Sequence, residues 1–263
     1  MNLVRENPLV FIGKKSLTLV RDVGGVSLFI KDIIKTFPRG ISRTHLVTEQ
    51  MLYIGVNSIP LVILTSLFTG AVTSVQAAYQ FSDLLSMRYL GSAVAKAILI
   101  ELGPVLTAVV IAGRVGAGMA AELGTMKVTE QIDALESLAI SPIRYLAFPR
   151  VLAGFIMVPL LTIIANFIAI VGGLFVASSF LNVSSHTFLT SFKLFFKMTD
   201  LTAGLLKSFV FGTIITTISC YQGFRTEGGA EGVGKATTRA VVVSIVLILV
   251  ADYFVASVVF GTG

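Results

Sequence analysis

Charge and cysteine are both scarce in this sequence. Only 13% of its 263 residues are charged, whereas 55% are hydrophobic, and the mean hydropathy is +0.90. A soluble domain cannot bury that much apolar surface, so we expect lipid to surround most of the chain. The single cysteine, Cys220, excludes an internal disulfide framework and a metal site made of several cysteines. Cys220 lies in an apolar run, which predicts a small, packed side chain.

The signatures of secretion and catalysis are also missing. The first apolar stretches are short and interrupted by charges, unlike a signal peptide. Residues 229–236 nearly match the phosphate-binding pattern G-x-x-x-x-G-K-[ST], but Ala236 stands where a hydroxyl must hold magnesium. No strand pattern precedes this stretch, and a membrane span follows it. We therefore predict a non-catalytic chain with no metal site and no cofactor of its own.

Long stretches without charge predict five membrane-spanning helices. No Asp, Glu, Lys or Arg occurs over 50–82 or 151–192, and a helix needs about 20 apolar residues to cross a bilayer. The predicted spans are 54–78, 92–115, 150–177, 201–221 and 239–260. A partly apolar helix over 186–197 is expected between spans three and four. The predicted fold is an all-α membrane protein whose five-span domain covers 46–263.

Residues 1–45 predict a separate amphipathic helix at the membrane surface. Apolar residues recur there at alternating steps of four and three, which places them on one helical face. The face consists of Leu19, Val23, Val26, Ile30, Ile33 and Phe37. Interspersed lysines and arginines suit the headgroup layer. The alternative is a soluble helix packed on the protein's own surface.

The positive charge indicates a membrane surface rather than nucleic acid as the partner. The net charge is +6, and the basic residues cluster beside apolar segments. Fifteen of the twenty Lys and Arg residues lie in the N-terminal segment or in the connections after spans two and four. Because basic residues favour the cytoplasmic side, we predict a cytoplasmic N-terminus and a C-terminus outside.

The connection between spans two and three contains a short polar helix, predicted at 129–140. Thr129 is expected to cap this helix. Its acidic side and its apolar side consist of Glu130, Asp133 and Glu136, and of Ile132, Leu135 and Ala139, respectively. A compact polar helix in a cytoplasmic loop is typical of a contact with a soluble partner. The alternative is a surface helix that only closes the loop.

Three predicted spans carry a charged residue at a similar depth. At 1.5 Å per residue, Glu101 lies ~14 Å below the outer face of a ~30 Å core, Lys207 ~9 Å and Asp252 ~10 Å. Unpaired charges at such depth cost a few kcal/mol, so they usually face the interior and pair. We predict that Lys207 pairs with Asp252, Glu101 or both. The cluster is either a structural clamp or a polar rim that meets lipid headgroups beside an apolar cavity.

The stretch ELGPVLTAVVIAGRVGAGMAAELGTMKVTEQIDALESLAISP, residues 101–142, resembles the signature region of the MlaE (YrbE-type) permeases. These are the membrane subunits of lipid-trafficking ABC transporters. The later stretch KATTRAVVVSIVLILVADYFV resembles that family's last span and its approach. The similarity begins near residue 45 and reaches the C-terminus. One departure is Ile100, since several members have an arginine directly before the glutamate that corresponds to Glu101.

The resemblance implies a bacterial inner-membrane permease that works as a homodimer in ATP-driven lipid transport. Each copy would bind a separate ATPase subunit, which holds ATP and magnesium, through a coupling helix. The two copies would share a lipid cavity that opens towards a periplasmic MCE-domain partner. Carried over by position, the coupling residues are Glu130, Gln131, Ile132, Asp133, Leu135 and Glu136.

Two other functions stay open from the residues alone. A secondary transporter that uses Glu101 and Asp252 as proton carriers would need no ATPase. It would usually show an internal repeat, and we find none in the sequence. A non-transporting scaffold of a membrane complex would tolerate the loss of every intramembrane charge. The resemblance is what favours an ABC permease and lipid over these two.

Overall fold

A computed structural model describes residues 8–40, 44–81 and 86–261. Within these ranges the chain consists of helices and short connections, which confirms the predicted all-α class. The α-helices are α1 (Pro8–Gly40), α2 (Thr44–Ile54), α3 (Ile59–Phe81), α4 (Leu90–Ala97), α5 (Gly103–Ile111), α6 (Ala117–Val128), α7 (Gln131–Ser137), α8 (Phe148–Phe180), α9 (Ser185–Phe195), α10 (Met198–Phe224) and α11 (Gly229–Phe260).

Within the part of the chain that the structure describes, five helical runs are long and apolar enough to cross a membrane, as predicted. We call them spans one to five, and they are Thr44–Phe81, Met87–Val128, Ile143–Phe180, Met198–Phe224 and Gly229–Phe260. Each run contains the predicted span and extends beyond it at one or both ends. Hydropathy marks only the part of a helix that lies in hydrocarbon, whereas helical hydrogen bonding continues into the headgroup layer.

Span two is a continuous helical run in which π-helical turns join α4, α5 and α6. These two π turns are Ile98–Leu102 and Ala112–Gly116. Pro104 explains the first, because proline has no N–H for the carbonyl of Ile100 and its ring crowds that carbonyl. A widened turn relieves the clash without ending the helix.

Small residues let the spans pack closely. At the contact between α3 and α8, a Cβ atom on Gly70 would overlap the backbone of Ala169. The Ser74 hydroxyl crosses the same contact and donates a hydrogen bond of 2.9 Å to the carbonyl of Gly173. Gly70 thus serves close helix packing, as small residues often do in membranes.

A hydrophobic core at one end of the bundle joins α1, α6, α7, α8 and α10. Each of these helices contributes a buried apolar side chain, and representatives are Phe29, Leu123, Ile132, Phe148 and Tyr221. Cys220 is buried in the same core, as its apolar surroundings predicted. We call this cluster the α7-end core. It connects the short helix α7 directly to spans two, three and four.

α1 packs on the α7-end core with a face that differs from the predicted one. Phe29 and Ile33 are buried, whereas Val23 and Ile30 are exposed. Two of the predicted positions, Val26 and Ile33, pack on this core, whereas Val23 and Ile30 do not, and Phe29 was not among the predicted positions. Sequence periodicity cannot separate a protein-facing side from a lipid-facing one when both are apolar. The predicted positions whose side chains lie outside the described part are Leu19 and Phe37.

An ion pair also fixes α1 to the residue that follows span four. Arg225 Nη1 lies 2.7 Å from Asp22 Oδ1 and donates to the Tyr221 hydroxyl. Burial lowers the pKa of Arg225, but its hydrogen bonds to Asp22 and Tyr221 outweigh burial and raise the pKa above the ordinary value. Arg225 therefore stays charged at any physiological pH, and the contact persists.

We expect loss of the buried α1 side chains to release this helix. Phe29→Ala with Ile33→Ala removes two packed groups, and such truncations cost roughly 2–5 kcal/mol each. Limited proteolysis in detergent should then cleave α1 at least tenfold faster. The matched control is Leu28→Ala with Ile34→Ala, two exposed positions on the same helix. Equal cleavage of both pairs would mean that α1 is not held by the α7-end core.

Candidate functional site

The three intramembrane charges meet, as their depths predicted. Lys207 Nζ lies 2.6 Å from Glu101 Oε1 and 2.8 Å from Asp252 Oδ1. The contact with Glu101 is a hydrogen bond, whereas the contact with Asp252 is an ion pair without hydrogen-bond geometry. Lys207 thus bridges two carboxylates from spans two and five. We call these three residues the charge cluster.

The cation of the charge cluster is buried, whereas its two carboxylates are partly exposed at the surface of the chain. The Lys207 side chain is 0% exposed, whereas the side chains of Glu101 and Asp252 are 44% and 22% exposed. Two anions against one cation leave the cluster with a formal charge of −1. The open side therefore presents acceptor oxygens, and it suits a hydrogen-bond donor or a cation rather than an acyl chain.

The backbone around the cluster explains its geometry. Glu101 lies in the first π turn, whose widened bond runs from the Gly103 N–H to the Ile98 carbonyl. Gly204, one turn before Lys207, lies so close that a Cβ there would overlap the Leu99 carbonyl oxygen. This close approach of α10 to the π turn brings Lys207 within reach of Glu101. The basic partner that Ile100 does not supply therefore comes from span four.

Adding one methyl group at Gly204 should separate the cluster. We expect Gly204→Ala to push α10 away from the π turn and to cost about 1–3 kcal/mol by overpacking. The measurement is thermal unfolding in detergent, together with transport activity. Gly113→Ala in span two is the matched control, since a Cβ there meets nothing within 4 Å. If the two variants behave alike, close packing at Gly204 does not set the cluster.

The predicted polar helix is present but shorter than expected. It is α7, Gln131–Ser137, rather than 129–140. The prediction that Thr129 caps it was wrong, because Thr129 ends α6 and donates its hydroxyl to the Thr125 carbonyl. Glu130 precedes α7 with a left-handed φ of 62°, which makes the sharp turn between the two helices. Ala139, also left-handed, lies beyond the end of α7 and is exposed.

The apolar side of α7 faces the protein itself. Ile132 is only 3% exposed, and Leu135 packs against the same α7-end core. Ile132, one of the coupling residues carried over by position, therefore faces the chain's own core and is not available to a partner. A short helix cannot hold its place without an anchor, and these two side chains supply it.

What α7 leaves exposed is an acidic surface with one apolar residue. Glu130, Asp133 and Glu136 are all exposed, and Leu138 is 71% exposed just beyond the helix. Asp133 pairs with Lys127 of α6 at 2.6 Å, whereas Glu130 and Glu136 form no ion pair with other residues that the structure describes. We call these four residues the acidic surface. It fits a basic partner with a small apolar recess.

Sequence reasoning missed two further ion pairs between helices. Arg150 of α8, almost fully buried, lies 2.8 Å from Glu122 of α6. Lys96 of α4 lies 3.9 Å from the buried Asp200 of α10. Lys96 and Arg150 lie near the ends of predicted spans, and Glu122 and Asp200 lie outside the predicted spans. Charges at such positions usually face water, so the sequence gives no reason to pair them. Only their pairing across helices, which a single sequence does not contain, distinguishes them.

The near match to a phosphate-binding loop forms a helix. Residues 229–236 are the first two turns of α11, so their backbone N–H groups are not arranged as a phosphate cradle. Among the residues that the structure describes, no group of three His, Cys, Asp or Glu side chains is placed to hold a metal ion.

Comparison with known proteins agrees with this architecture. The family model "Permease MlaE" matches residues 47–258, which include the first four predicted spans, all but the last two residues of the fifth, the charge cluster and α7. The chain belongs to the MlaE permease family. It is 41% identical over 249 residues to a probable ABC transporter permease protein of Rickettsia felis, covering 95% of this chain and 96% of that protein.

Two further relatives come from organisms other than Rickettsia. A probable ABC transporter permease protein of Synechocystis is 44% identical over 216 residues, or 82% of each chain. The chloroplast protein TRIGALACTOSYLDIACYLGLYCEROL 1 of Arabidopsis thaliana is 39% identical over 216 residues, covering 82% of this chain and 62% of that protein. The sequence resemblance to MlaE permeases is thus confirmed, and α1 lies outside the residues that the family model matches.

Proposed function

We propose that this chain is the permease subunit of an ATP-driven transporter of membrane phospholipid. A separate ABC ATPase subunit would bind on the α7 side, and an MCE-domain protein on the other. The name of the Arabidopsis relative contains that of a glycerolipid, and this supports lipid as the cargo class. By the positive-inside rule, the chain would sit in a bacterial inner membrane with α1 and α7 cytoplasmic and its C-terminus periplasmic.

The open side of the charge cluster is the observation that carries this proposal. A carboxylate exposed to acyl chains inside a membrane is costly, so Glu101 and Asp252 must border something polar. A second copy of the chain, enclosing a cavity with the first, would supply that border. Span five supports this, because only 11% of its most apolar stretch is buried in the single chain, against 56% for span four.

The cluster would then act on the polar part of the cargo. Its acceptor oxygens would hold the hydroxyls or amine of a phospholipid headgroup, while Lys207 keeps both carboxylates in place and offsets their charge. The tails would lie against apolar side chains of the spans. The chain would not break or form a covalent bond; it would provide a polar position at membrane depth whose shape changes with the ATPase.

Force would reach the spans through α7. The acidic surface would dock on basic side chains of the ATPase, and the inward-facing Ile132 and Leu135 would pass movement to the α7-end core. Because that core includes side chains of α6, α8 and α10, a displacement of α7 would act on spans two, three and four together.

Purification from native membranes tests this proposal. We expect the tagged chain to copurify as two copies with an ABC ATPase and an MCE-domain protein, with phospholipid identified by mass spectrometry. Lipid transfer between reconstituted vesicles should require ATP. A chain that purifies without an ATPase and moves protons across vesicle membranes would instead support a secondary transporter. A complex that keeps its activity without all three intramembrane charges would support a scaffold.

A further inference from the structure

A second feature of the fold lies away from the charge cluster. An apolar cavity of about 490 Å³ opens between α1, α8, α10 and α11. Its walls include Val26, Ile30, Phe155, Phe209, Ile214 and Leu247. Thr213, also in the wall, donates its hydroxyl to the Phe209 carbonyl of its own helix and so offers no donor to a guest. Ile30 and Phe155 are partly exposed, which opens the cavity to the surrounding bilayer.

A second pocket follows the same two helices towards the α10–α11 turn. It has a volume of about 310 Å³, and its basic lining residues are Arg225, Lys235 and Arg239. The acidic groups that face it are Glu227 in the lining, Glu231 paired with Lys235, and Asp22 paired with Arg225. Arg239 has no ion pair with any residue in the described ranges. Arg239 is therefore the cation that is available to a guest.

The two pockets follow one another along α10 and α11, and we call the two together the groove. On α10, Ile218 of the cavity is followed four residues later by Gln222 of the basic pocket, so the two share a helical face. On α11, Leu247 and Arg239 are eight residues apart, or ~12 Å along the axis. From Ile218 the cavity extends along α10 to Leu206, which is ~18 Å at 1.5 Å per residue. One leaflet of a bilayer is ~15 Å thick in its hydrocarbon part.

We propose that an anionic phospholipid occupies this groove, with its phosphate in the basic pocket and one acyl chain in the cavity. An apolar channel of leaflet length that begins at a basic pocket matches a phospholipid in both size and charge. Arginine suits a phosphate because its guanidinium donates two parallel hydrogen bonds. This proposal rests on the proposed function in one respect only. If α1 and α7 are cytoplasmic, the leaflet that contains this phospholipid is the cytoplasmic leaflet.

This site differs from the proposed cargo site. Lys207 is fully buried among carboxylates, whereas the groove presents cations and faces the bilayer. α1 forms one wall of the groove through Val26 and Ile30. A lipid held there would therefore connect α1 to spans four and five.

The absence of tryptophan makes the occupant measurable. Phe155→Trp introduces a single indole into the cavity wall, and Leu160→Trp introduces one on the same helix outside it, at nearly equal exposure (44% and 45%). Each full-length variant is reconstituted in vesicles of phosphatidylcholine and phosphatidylglycerol, of which one or the other carries bromine on its acyl chains. Bromine quenches indole fluorescence on contact, so the quenching gives the relative affinity for the anionic lipid.

In the Phe155→Trp variant, we expect the quenching to give an affinity for phosphatidylglycerol about fivefold or more above that for phosphatidylcholine. In the Leu160→Trp variant, we expect equal affinities for the two lipids. In the Phe155→Trp background, Lys235→Gln with Arg239→Gln should reduce the preference to near one without reducing quenching by phosphatidylcholine. The swap Lys235→Arg with Arg239→Lys, which keeps both charges, should retain the preference. Inorganic phosphate at constant ionic strength should not compete.

Three results would overturn the proposal. If brominated lipid does not quench the indole of the Phe155→Trp variant, then protein and not lipid fills the cavity. Equal preference at 155 and 160, or a preference that survives the loss of both charges, would remove the basic pocket from the site. Competition by inorganic phosphate would make it a site for free phosphate. The assay needs neither an ATPase nor transport, so its failure would leave the proposed function untouched.

Discussion

Lys207→Ala is expected to reduce transport to less than about a tenth and to lower the yield of folded protein. The substitution leaves Glu101 and Asp252 as two adjacent carboxylates at membrane depth with no cation between them. Removing one partner of a buried ion pair costs about 3–5 kcal/mol, and we expect the lower end because both carboxylates are partly exposed. Thermal unfolding in detergent and ATP-dependent lipid transfer provide the two measurements.

Further variants separate structural from functional roles of the cluster. Lys207→Ala with Asp252→Ala should restore part of the assembly, and adding Glu101→Gln should restore more, since no unpaired charge is left. If transport returns with assembly, the cluster is only a clamp between spans. If assembly returns and transport does not, the polar groups themselves contact cargo. Lys193→Ala, at an exposed lysine, is the control and should change stability by less than about 0.5 kcal/mol.

Reversing the charge of the acidic surface should uncouple the ATPase while the spans stay folded. Glu130→Lys with Asp133→Lys changes the local charge by four units and places a new lysine beside Lys127, the present partner of Asp133. A basic docking site would then be repelled, so we expect ATPase copurification and transport to fall at least tenfold. Because both side chains are exposed, the unfolding temperature should change little.

The control for this pair is an equal charge reversal elsewhere. Glu49→Lys with Glu231→Lys also adds four units of positive charge, at exposed positions on helices other than α7. It should copurify normally with the ATPase. Normal copurification and transport of the Glu130 and Asp133 variant would mean that α7 only closes the loop between spans two and three.

The sequence predicted features that depend on composition and depth. Five spans follow from long apolar runs, and the charge cluster follows from the cost of an unpaired charge, since Glu101, Lys207 and Asp252 lie at one depth. These arguments need no knowledge of which helices are neighbours. They succeed because the bilayer imposes the same depth scale on every span.

Features that depend on which side of a helix faces the protein were harder to predict. Ile132 and Ile30 are both apolar residues on amphipathic helices, yet the first is buried in the chain and the second is exposed. The end of α6 at Thr129 was equally hard to predict, because nothing about a glutamate indicates that Glu130 adopts a left-handed backbone conformation. Pairing of Arg150 with Glu122 requires the arrangement of α6 against α8, which a single sequence does not contain.

The π turns of span two change how movement passes along it. A regular helix between the charge cluster and α7 would act as a stiff rod and would transmit a push unchanged. Each π turn holds one residue more than a regular turn, and gaining or losing that residue would rotate everything beyond it by about 100°. Span two is therefore expected to transmit rotation about its axis more readily than displacement along its axis. A shift of α7 would reach Glu101 as a twist of the carboxylate away from or towards Lys207, with little change in its depth.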